Sequence, residues 1–525
     1  MSMHTLEQRI PETPGAQEAP APGWARGRLL DPWMVAALAT AISAAWASRP
    51  SLWFDEGATI SAAANRTLPE LWRLLGHIDA VHGLYYLVMH GWFAIFPPTE
   101  FFSRLPSALA VGAAAGGVTV FTRQFTPRAT AVCAGVVFAI LPRITWAGME
   151  ARSYAFAVAA AIWLTVLLVA AVRSNRARWW VGYALGLALS ILLSLNLVLL
   201  VTVYAAALPL LAPRGSRTSP VIRWSVATTV AVGAMTPFLA FAHGQVFQVN
   251  WLFPVSWHYA FDIVQRQYFD HSVPCAVLTA VLVVAAVAAR LSGVAAPAGA
   301  TRNLLALCAA WILVPTALVV LYSAIVEPIY FPRYLILSTP AVAVIMAVCI
   351  TTIARGPWPT AGVVLLFAVA AVPNYLFIQR WPYAKEGWDY SQVADLIGSH
   401  ASPGDCLLVD NTVGWRPGPA RALLATRPGS FRSLIDVERG AYGPKVGWLW
   451  DGHVAVWLTT AKINQCPTIW TITNKDGALP DHQAGSSLPP GTFGRAPAYR
   501  FPGYLGFRVV ERWQFHYSQV VKSTR

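Results

Sequence analysis

Two adjacent carboxylic acids, Asp55 and Glu56, lie in the segment Trp-Phe-Asp-Glu-Gly, directly after a long apolar run. At a membrane surface such acids are costly to desolvate. They are therefore either functional or the solvated start of a loop that turns at Gly57. A functional carboxylate here could act as a general base, or the acids could hold a divalent cation through their oxygens.

A second acid lies in the segment Glu-Ala-Arg-Ser-Tyr, where Glu150 and Arg152 are close in sequence. They could form an interfacial ion pair, with the arginine reaching toward lipid headgroups. Alternatively, Glu150 faces the same cavity as Asp55, and Arg152 binds an anionic group. A further arginine, Arg333, lies between aromatic residues in the segment Tyr-Phe-Pro-Arg-Tyr. It suits a lipid phosphate and equally suits a routine interfacial anchor.

Histidines and charged residues in two loops form a weaker group of candidates. A lone histidine in such a loop is more often an ordinary hydrogen-bonding residue than a ligand. No phosphate-cradling glycine loop, nucleophile elbow or paired-histidine zinc motif occurs in the sequence, and the single cysteines show no metal-ligand spacing. The weaker candidates are His77, Asp79, His82, His243, His258, Asp262, Arg266 and His271.

The chain that must position these residues is mostly apolar. Of its 525 residues, 56% are hydrophobic and 12% are charged, which is about half the charged fraction of a soluble domain. Because a spanning helix needs about 20 mostly apolar residues, we predict a polytopic α-helical membrane protein. The predicted spans are approximately 31–48, 105–122, 129–145, 155–172, 179–194, 196–212, 223–241, 274–290, 303–323, 334–353 and 359–376.

The segment 83–96 is apolar but short, and it contains His90. If it does not cross and the N-terminus is cytoplasmic, Arg123, Arg128 and the other loop arginines all lie inside, as the positive-inside rule requires. If it crossed, Arg123 and Arg128 would lie outside. We therefore predict eleven spans, with 83–96 as an interfacial helix and the loops 49–104 and 146–154 outside. Much of the net charge of +14 belongs to these inner loops, which argues against nucleic-acid binding.

The chain divides into three predicted regions. Residues 1–28 are polar and proline-rich and are predicted to be a disordered cytoplasmic segment. Residues 29–376 form the transmembrane domain, and residues 377–525 form an extracytoplasmic α/β domain, here called the tail domain. Its cysteines are Cys406 and Cys466; whether they form a disulfide depends on the compartment, and the sequence leaves this open. The other four cysteines lie in apolar runs and are expected to be small buried residues.

The tail domain alternates helix-like and strand-like segments. Helices are predicted at 390–400 and 420–426. Strands are predicted at 406–410, 453–459 and 468–473, with a strand or hairpin at 505–517 and an irregular insertion at about 476–503.

The order of these motifs resembles a known family. A first span is followed by Trp-Phe-Asp-Glu-Gly, a His-Gly-Leu-Tyr-Tyr segment, an Arg-Leu-Pro-Ser entry to the second span, and a Glu-x-Arg-x-Tyr loop after the third. This layout is similar to that of the GT-C glycosyltransferases, in the branch that holds protein O-mannosyltransferases and aminoarabinose transferases. The resemblance covers roughly residues 30–215.

The resemblance implies that a sugar moves, with inversion, from a polyprenyl monophosphate to an acceptor outside the cytoplasmic membrane. On this chain Asp55 matches the catalytic acid of the first outer loop, accompanied by Glu56, and Glu150 matches that of the second. We expect Arg152, Arg333 and Tyr334 to bind the donor phosphate. Expected substrate-binding residues are His77, Asp79, His82, Tyr154 and His243.

The resemblance leaves several choices open. A divalent cation such as Mg or Mn either takes part, with Asp55, Glu56 and Glu150 as its expected ligands, or is not needed. Mannose is the expected sugar, because it is the commonest in this branch, and the acceptor is an envelope glycolipid, lipoglycan, glycan or protein. The composition, rich in Ala and Arg, indicates an actinobacterial source, and the resemblance then implies a cell-envelope mannosyltransferase.

Three other interpretations compete with mannosyl transfer. The enzyme could transfer arabinofuranose from decaprenyl-phosphate-arabinose, or another pentose from a corresponding carrier. A transporter or flippase for lipid-linked sugars should place its charges and helix breaks at mid-membrane depth. A non-catalytic scaffold that binds glycan through the tail domain would not need both Asp55 and Glu150 on one side. Acids gathered at the outer surface favour the enzyme.

Overall fold

A computed structural model describes residues 30–212, 218–293, 299–410, 419–477, 486–491 and 497–525. Residues 1–28, predicted to be disordered, lie outside these ranges. The first part of the described chain is a bundle of helices. In order these are α1 (Leu30–Ala44), α2 (Phe54–Ala63), α3 (Leu68–Leu75), α4 (Gly83–Phe93), α5 (Glu100–Arg123), α6 (Arg128–Ile140), α7 (Pro142–Ala147), α8 (Tyr154–Ser174), α9 (Ala177–Leu193), α10 (Leu200–Leu211), α11 (Thr218–His243), α12 (Val273–Leu291), α13 (Gly299–Ile325), α14 (Thr339–Ile353) and α15 (Pro357–Pro373).

Each predicted span coincides with an apolar helix of this bundle. Among the described residues, seven helical stretches are long and apolar enough to cross a membrane, and shorter apolar helices occupy the positions of the other predicted spans. The long stretches begin at Glu100, Tyr154, Thr218, Val273, Gly299, Pro332 and Pro357. The fold class of a polytopic helical membrane protein with a small C-terminal sheet domain is therefore confirmed.

Helices α1 and α5 pack closely because small residues face each other. A Cβ atom added at Gly112 of α5 would lie 2.7 Å from the carbonyl oxygen of Ala36 in α1 and 2.1 Å from the Thr40 hydroxyl oxygen. Any larger residue would push the helices apart. Small residues at helix contacts are the usual means by which membrane helices approach each other, and here they fix the start of the loop that carries Asp55.

One end of the bundle collects the arginines that were predicted to lie inside. Asp31, at the start of α1, pairs with Arg128 at 2.6 Å and with Arg123 at 2.9 Å. Arg173, in the last turn of α8, donates to the Gln124 side chain at 3.3 Å. The start of α1 and the loop after α5 thus share one end, which requires that the chain between them crosses an even number of times. Helix α4 spans eleven residues, or about 16 Å, which is too short to cross a hydrocarbon core of about 30 Å.

The tail domain is built on one mixed sheet. Its elements are α16 (Tyr390–His400), β1 (Cys406–Val409), α17 (Pro419–Thr426), β2 (Ile435–Asp436), β3 (Thr468–Asn474), β4 (Ser486–Leu488), α18 (Pro497–Tyr504), β5 (Arg508–Gln514) and β6 (Ser518–Thr524). The strand order is β2-β1-β3-β6-β5-β4. Strand β1 pairs in parallel with β2 and with β3, whereas β3, β6, β5 and β4 pair antiparallel.

Most sequence-predicted elements of the tail domain are present, and one is wrong. The segment 453–459, predicted as a strand, contains only an isolated bridge between His453 and Arg439 and a single 3-10 turn at Val456–Leu458. Its apolar residues do not alternate between a core and solvent, because the consecutive Trp457 and Leu458 are both exposed. The hairpin prediction at 505–517 found β5 but stopped before β6. Parts of the predicted insertion at 476–503 lie outside the described residues.

A disulfide joins Cys406 of β1 to Cys466, with Cα atoms 5.8 Å apart. The sequence left this pairing open. The four other cysteines are unpaired and buried, as predicted.

The tail domain is fixed to the loop between α1 and α5. Asn65 donates to the Ala425 carbonyl oxygen at 2.7 Å, and Arg66 donates to the Leu449 carbonyl oxygen at 3.2 Å. A Cβ atom added at Gly57 would lie 2.8 Å from a methyl carbon of Thr426. Glycine is therefore needed where helices α2 and α17 touch, and this contact encloses a space between the bundle and the tail domain.

Candidate active site

A cavity of about 1680 Å³, here called the central cavity, lies between the tail domain and the end of the bundle opposite the arginine-rich end. It is large enough for a drug-sized ligand several times over. Its walls come from loops that are far apart in sequence. The charged and histidine residues that line it are Asp55, His77, Asp79, His82, Arg152, His243, Glu327, Arg333, Glu386, Asp410, Glu438 and His453.

Asp55 lies on this wall, in the first turn of α2, with its side chain 19% exposed. A Nη nitrogen of Arg333 is 3.2 Å from its Oδ2. The guanidinium group of Arg333 is held among aromatic rings, with centroids at 4.8 Å (Phe331), 5.5 Å (Trp53) and 5.8 Å (Tyr154). Such cation–π contacts fix the cation without using its N–H groups. The Nε of Arg333 has no hydrogen-bond partner among the described residues, so donors stay available beside a carboxylate.

A second arginine lies on the same wall, within a chain of polar contacts. Arg152 donates to the Tyr86 hydroxyl at 3.1 Å and to His82 Nε2 at 2.9 Å. Tyr86 in turn donates to Asp79 at 2.8 Å. Within the described part of the chain, the Nε of Arg152 has no partner. Arg152 is therefore oriented by neutral groups, and its charge remains available for an anionic ligand.

The contact with Arg152 fixes the proton of His82. A guanidinium group only donates, so His82 Nε2 must accept. Burial lowers the pKa of His82 far below its usual value, and the charges of Arg152 and Arg333 lower it further. The ring is therefore neutral and carries its proton on Nδ1, which has no partner among the residues described. His82 thus presents a single N–H donor within a cavity wall.

Glu56 does not line the central cavity. Its side chain is fully buried, and Arg104 binds both carboxylate oxygens, at 2.8 Å and 2.6 Å. The backbone N–H of Ala151 donates to the same carboxylate at 3.0 Å. Glu56 ties α2 to α5 and to the loop that follows α7, so its placement does not support contact with a substrate.

The expectation that Glu150 faces the same cavity as Asp55 is wrong. Its side chain is 0% exposed and forms an ion pair with Lys385. Trp53 donates to Glu150 Oε1 at 2.6 Å, and the Trp53 ring lines the cavity. Burial raises the pKa of the Glu150 carboxyl, and Lys385 opposes this rise. Glu150 therefore lies behind the cavity wall and positions Trp53, which forms part of that wall.

No protein-family model and no curated protein matches this chain, but solved structures do. ArnT from Cupriavidus metallidurans, bound to undecaprenyl phosphate, matches with a TM-score of 0.53 at 14% identity over 95% of this chain and 98% of that one. Its apo state gives 0.53 at 13% identity over the same shares. The Archaeoglobus fulgidus oligosaccharyltransferase tethered to an acceptor peptide matches at 0.46 and 10% identity over 86% of this chain and 69% of that one, which is too weak to support an argument. The chain has the GT-C fold.

Within this GT-C fold, the other predicted residues divide by position. His77, Tyr154, His243 and Tyr334 line the cavity, as does Asn196, which donates to the Tyr334 carbonyl oxygen at 3.2 Å. Four of the weaker candidates do not line it. His258 stacks on Trp257, with ring centroids 3.8 Å apart. Asp262 pairs with Arg266 at 3.2 Å on the same helical segment, and His271 lies beyond that pair.

Sequence reasoning missed the residues that follow the last span of the GT-C bundle. Lys385 pairs with Glu150, and Glu386 lines the cavity with an oxygen 3.9 Å from Arg333. Glu386 has a positive φ of 53°, which is uncommon for a residue other than glycine. The signal in the sequence was the segment Lys-Glu-Gly-Trp after an apolar run. Like Phe-Asp-Glu-Gly near the start of the chain, it combines Glu-Gly with an aromatic residue.

Asp55, Glu56 and Glu150 do not converge on one point of this GT-C structure. Glu56 and Glu150 are bound by Arg104 and Lys385. Within the described ranges, no group of three or more His, Cys, Asp or Glu residues is arranged to hold a metal ion. The ligand set expected for a divalent cation is therefore not assembled by these three acids.

Proposed function

We propose that this protein is a glycosyltransferase that moves a sugar from a polyprenyl monophosphate to the hydroxyl group of an acceptor. The observation that carries the proposal is the pair of Asp55 and Arg333, 3.2 Å apart on a cavity wall. A carboxylate beside a cation with unused donors suits proton removal next to a departing phosphate. An apolar wall that includes Leu239, Val246 and Leu335 suits an isoprenoid chain. The likeness in fold to ArnT, solved with undecaprenyl phosphate, supports the same reading.

In the proposed reaction Asp55 takes the proton of the acceptor hydroxyl. The acceptor oxygen forms a bond to the anomeric carbon of the sugar while the bond from that carbon to the phosphate oxygen breaks on the opposite face. The configuration inverts, and polyprenyl phosphate leaves with one more negative charge. Arg333 and Arg152 stabilise this charge as it develops. Because a direct displacement needs one base, Glu56 and Glu150 act in this scheme as positioning residues.

Two neutral groups would complete the donor site. The Nδ1–H of His82, beside Arg152, can donate to an oxygen of the donor without adding charge. Tyr334 lines the same wall as Arg333 and can supply a hydroxyl donor. His77, Asp79, Tyr154 and His243 are proposed contacts of the sugar or acceptor.

Mannose is the proposed sugar, and an envelope glycolipid, lipoglycan, glycan or protein of the actinobacterial kind is the proposed acceptor. Arabinofuranosyl transfer from decaprenyl-phosphate-arabinose is the alternative. We place the protein in the plasma membrane, with residues 1–28 cytoplasmic, a transmembrane domain at 29–376, and the cavity and tail domain (377–525) extracytoplasmic. The Cys406–Cys466 disulfide supports an oxidising compartment for the tail domain.

A reconstitution experiment tests this function. The purified protein in lipid nanodiscs is given decaprenyl-phosphate-mannose or decaprenyl-phosphate-arabinose together with an envelope lipid extract. We expect sugar to appear on the extract from the mannose donor. Transfer from the arabinose donor alone would select the alternative sugar. Movement of intact donor across proteoliposomes without cleavage would identify a transporter instead. The same assay with EDTA tests the need for a divalent cation.

Replacing Arg152 with Gln is expected to raise the KM for the polyprenyl-phosphate donor by about 10- to 100-fold, because charge-assisted bonds to a phosphate contribute about 1.5–3 kcal/mol. The matched control is Arg173→Gln, which removes a guanidinium group that bonds Gln124 at the other end of the bundle. Donor titrations of the two variants make the comparison. An unchanged KM in Arg152→Gln would exclude this arginine from the donor site.

A further inference from the structure

The parallel strands of the tail domain direct their carboxyl ends at the central cavity. Strand β1 ends at Val409 and β2 ends at Asp436, and the strands pair in parallel. Asp410 and Glu438, which follow them, both line the cavity. Crevices outside the carboxyl ends of parallel strands are the usual ligand sites of α/β sheets. This edge is therefore a second functional wall, opposite the loops that carry Asp55.

Two polar groups on this edge are spaced to receive a hydroxyl group. Glu438 is 1% exposed, and its Oε2 accepts the Val409 N–H at 2.7 Å. Its Oε1 is 3.8 Å from His453 Nε2, which is too far for a direct hydrogen bond. One bridging oxygen fits such a distance. Burial raises the pKa of Glu438 to about 8, so a neutral carboxyl group that can both donate and accept is available at neutral pH.

The tautomer of His453 follows from its other neighbour. Arg421 lies with a Nη nitrogen 3.4 Å from His453 Nδ1. Since a guanidinium group only donates, Nδ1 accepts, and the ring proton lies on Nε2. Arg421 is itself held by an ion pair with Asp436 at the end of β2. The Nε2–H therefore points to the side of the ring where Glu438 lies.

Indole rings line the same cavity as this polar pair. Trp448 is 50% exposed and Trp457 is 60% exposed, and both line the central cavity together with the buried Trp450. Exposed indoles lining a cavity are unusual for a soluble domain unless something covers them. The Trp450 ring also packs on Phe54, with centroids 5.5 Å apart. The tail-domain wall of the cavity therefore contacts the residue next to Asp55.

We propose that this edge of the tail sheet is a saccharide-binding subsite that holds a sugar ring of the acceptor, with Glu438 and His453 on its hydroxyl groups and Trp457 on its apolar face. The proposal rests on the proposed function and deepens it. A polyhydroxyl ring matches a carboxyl–imidazole pair beside indoles, because hydroxyl groups both donate and accept while the C–H face of the ring is apolar. A peptide acceptor offers fewer hydroxyl groups for the same pair.

The test uses full-length protein in nanodiscs with decaprenyl-phosphate-mannose as donor and methyl α-1,6-mannobioside as acceptor. The readout is the ratio of sugar transferred to the acceptor to sugar released to water. We expect Glu438→Gln and Trp457→Ala each to lower this ratio about tenfold, the loss of roughly one to two hydrogen bonds or a ring contact. The matched controls are Glu511→Gln and Tyr504→Ala, which remove a carboxylate and an exposed ring away from the cavity; they should keep the ratio of the parent protein.

Binding is measured separately by saturation-transfer NMR with the same mannobioside. If no donor is cleaved, the proposed function fails. Even then, loss of the mannobioside signal in Trp457→Ala would by itself support the subsite. If the parent protein neither binds the mannobioside nor transfers to it, the subsite is refuted. If both variants keep the transfer ratio for mannobioside and lose it for a threonine-rich peptide acceptor, the ligand is a peptide and the saccharide assignment falls.

Discussion

Asp55→Asn is expected to lower kcat for sugar transfer by about 10²–10⁴-fold, the range attributed to a positioned general base. The amide keeps the size of the side chain but cannot take the acceptor proton. Donor binding should change little in the same titration, because Arg333 keeps its aromatic contacts with Phe331 and Trp53. Radiolabelled mannose transfer, followed in single-turnover and steady-state experiments, measures both quantities.

The control for this variant is Asp262→Asn. Asp262 pairs with Arg266 at 3.2 Å, the same distance as the pair of Asp55 and Arg333, but it lies outside the central cavity. Loss of an ion pair as such should therefore affect both variants alike, whereas loss of a base should affect Asp55→Asn alone. Transfer by Asp55→Asn at the rate of the parent protein would refute the role of Asp55.

The sequence was sufficient for the bundle because its spans are defined by local composition. A run of about 20 apolar residues has few structural alternatives to a membrane-spanning helix. The side of the membrane on which each loop lies is predicted from the arginines of that loop alone. The same local reasoning led to Asp55, which lines the central cavity, since an acid that follows two aromatic residues after an apolar run is visible without any partner. The pair of Asp31 and Arg128 then agrees with the predicted threading.

The roles of the other acids depended on partners that are distant in sequence. Glu56 is adjacent to Asp55, yet Arg104, 48 residues away, binds it. Glu150 is held by Lys385, 235 residues away. Adjacent acids look alike in a sequence, and only the tertiary pairing decides which carboxylate keeps contact with the cavity. For the same reason the sequence did not predict the tail-domain wall that contains Glu438, because this wall forms only when the strands of the sheet pair.

The wrong strand at 453–459 has a related cause. Its short continuous apolar run, 454–458, is typical of a buried strand, but the segment covers a cavity and lies beside the sheet. Val456 packs inward among residues such as Cys466, and Trp457 faces the cavity. Functional surfaces are where local patterns and the fold are expected to disagree.

Lys385→Met is expected to lower the free energy of unfolding by about 3–5 kcal/mol, the usual cost of leaving one member of a buried ion pair alone. Lys385 is 3% exposed and Glu150 is 0% exposed, so water cannot replace the lost ammonium group. Transfer activity should fall with stability, since Glu150 also holds Trp53 in the cavity wall. The control Lys522→Met breaks the partly exposed pair with Glu511 at 3.2 Å, for which about 0–1 kcal/mol is expected. Denaturant titration of the purified proteins gives the values.

The pH dependence separates a lost charge partner from a lost packing contact. Burial already raises the pKa of Glu150, and Lys385 opposes the rise, so removing Lys385 should raise this pKa further. A carboxyl whose pKa is higher in the folded protein stabilises the fold below its unfolded pKa, and the stabilisation is lost as the pH rises through the folded pKa. Parent and variant lose the same stabilisation up to the pKa that Glu150 has in the parent protein, about 7. The deficit of Lys385→Met should therefore grow as the pH rises above about 7. Combining it with Glu150→Gln should remove this pH dependence and restore part of the stability. A deficit that is independent of pH and unchanged by Glu150→Gln would mean that Lys385 acts through packing and not through the charge of Glu150.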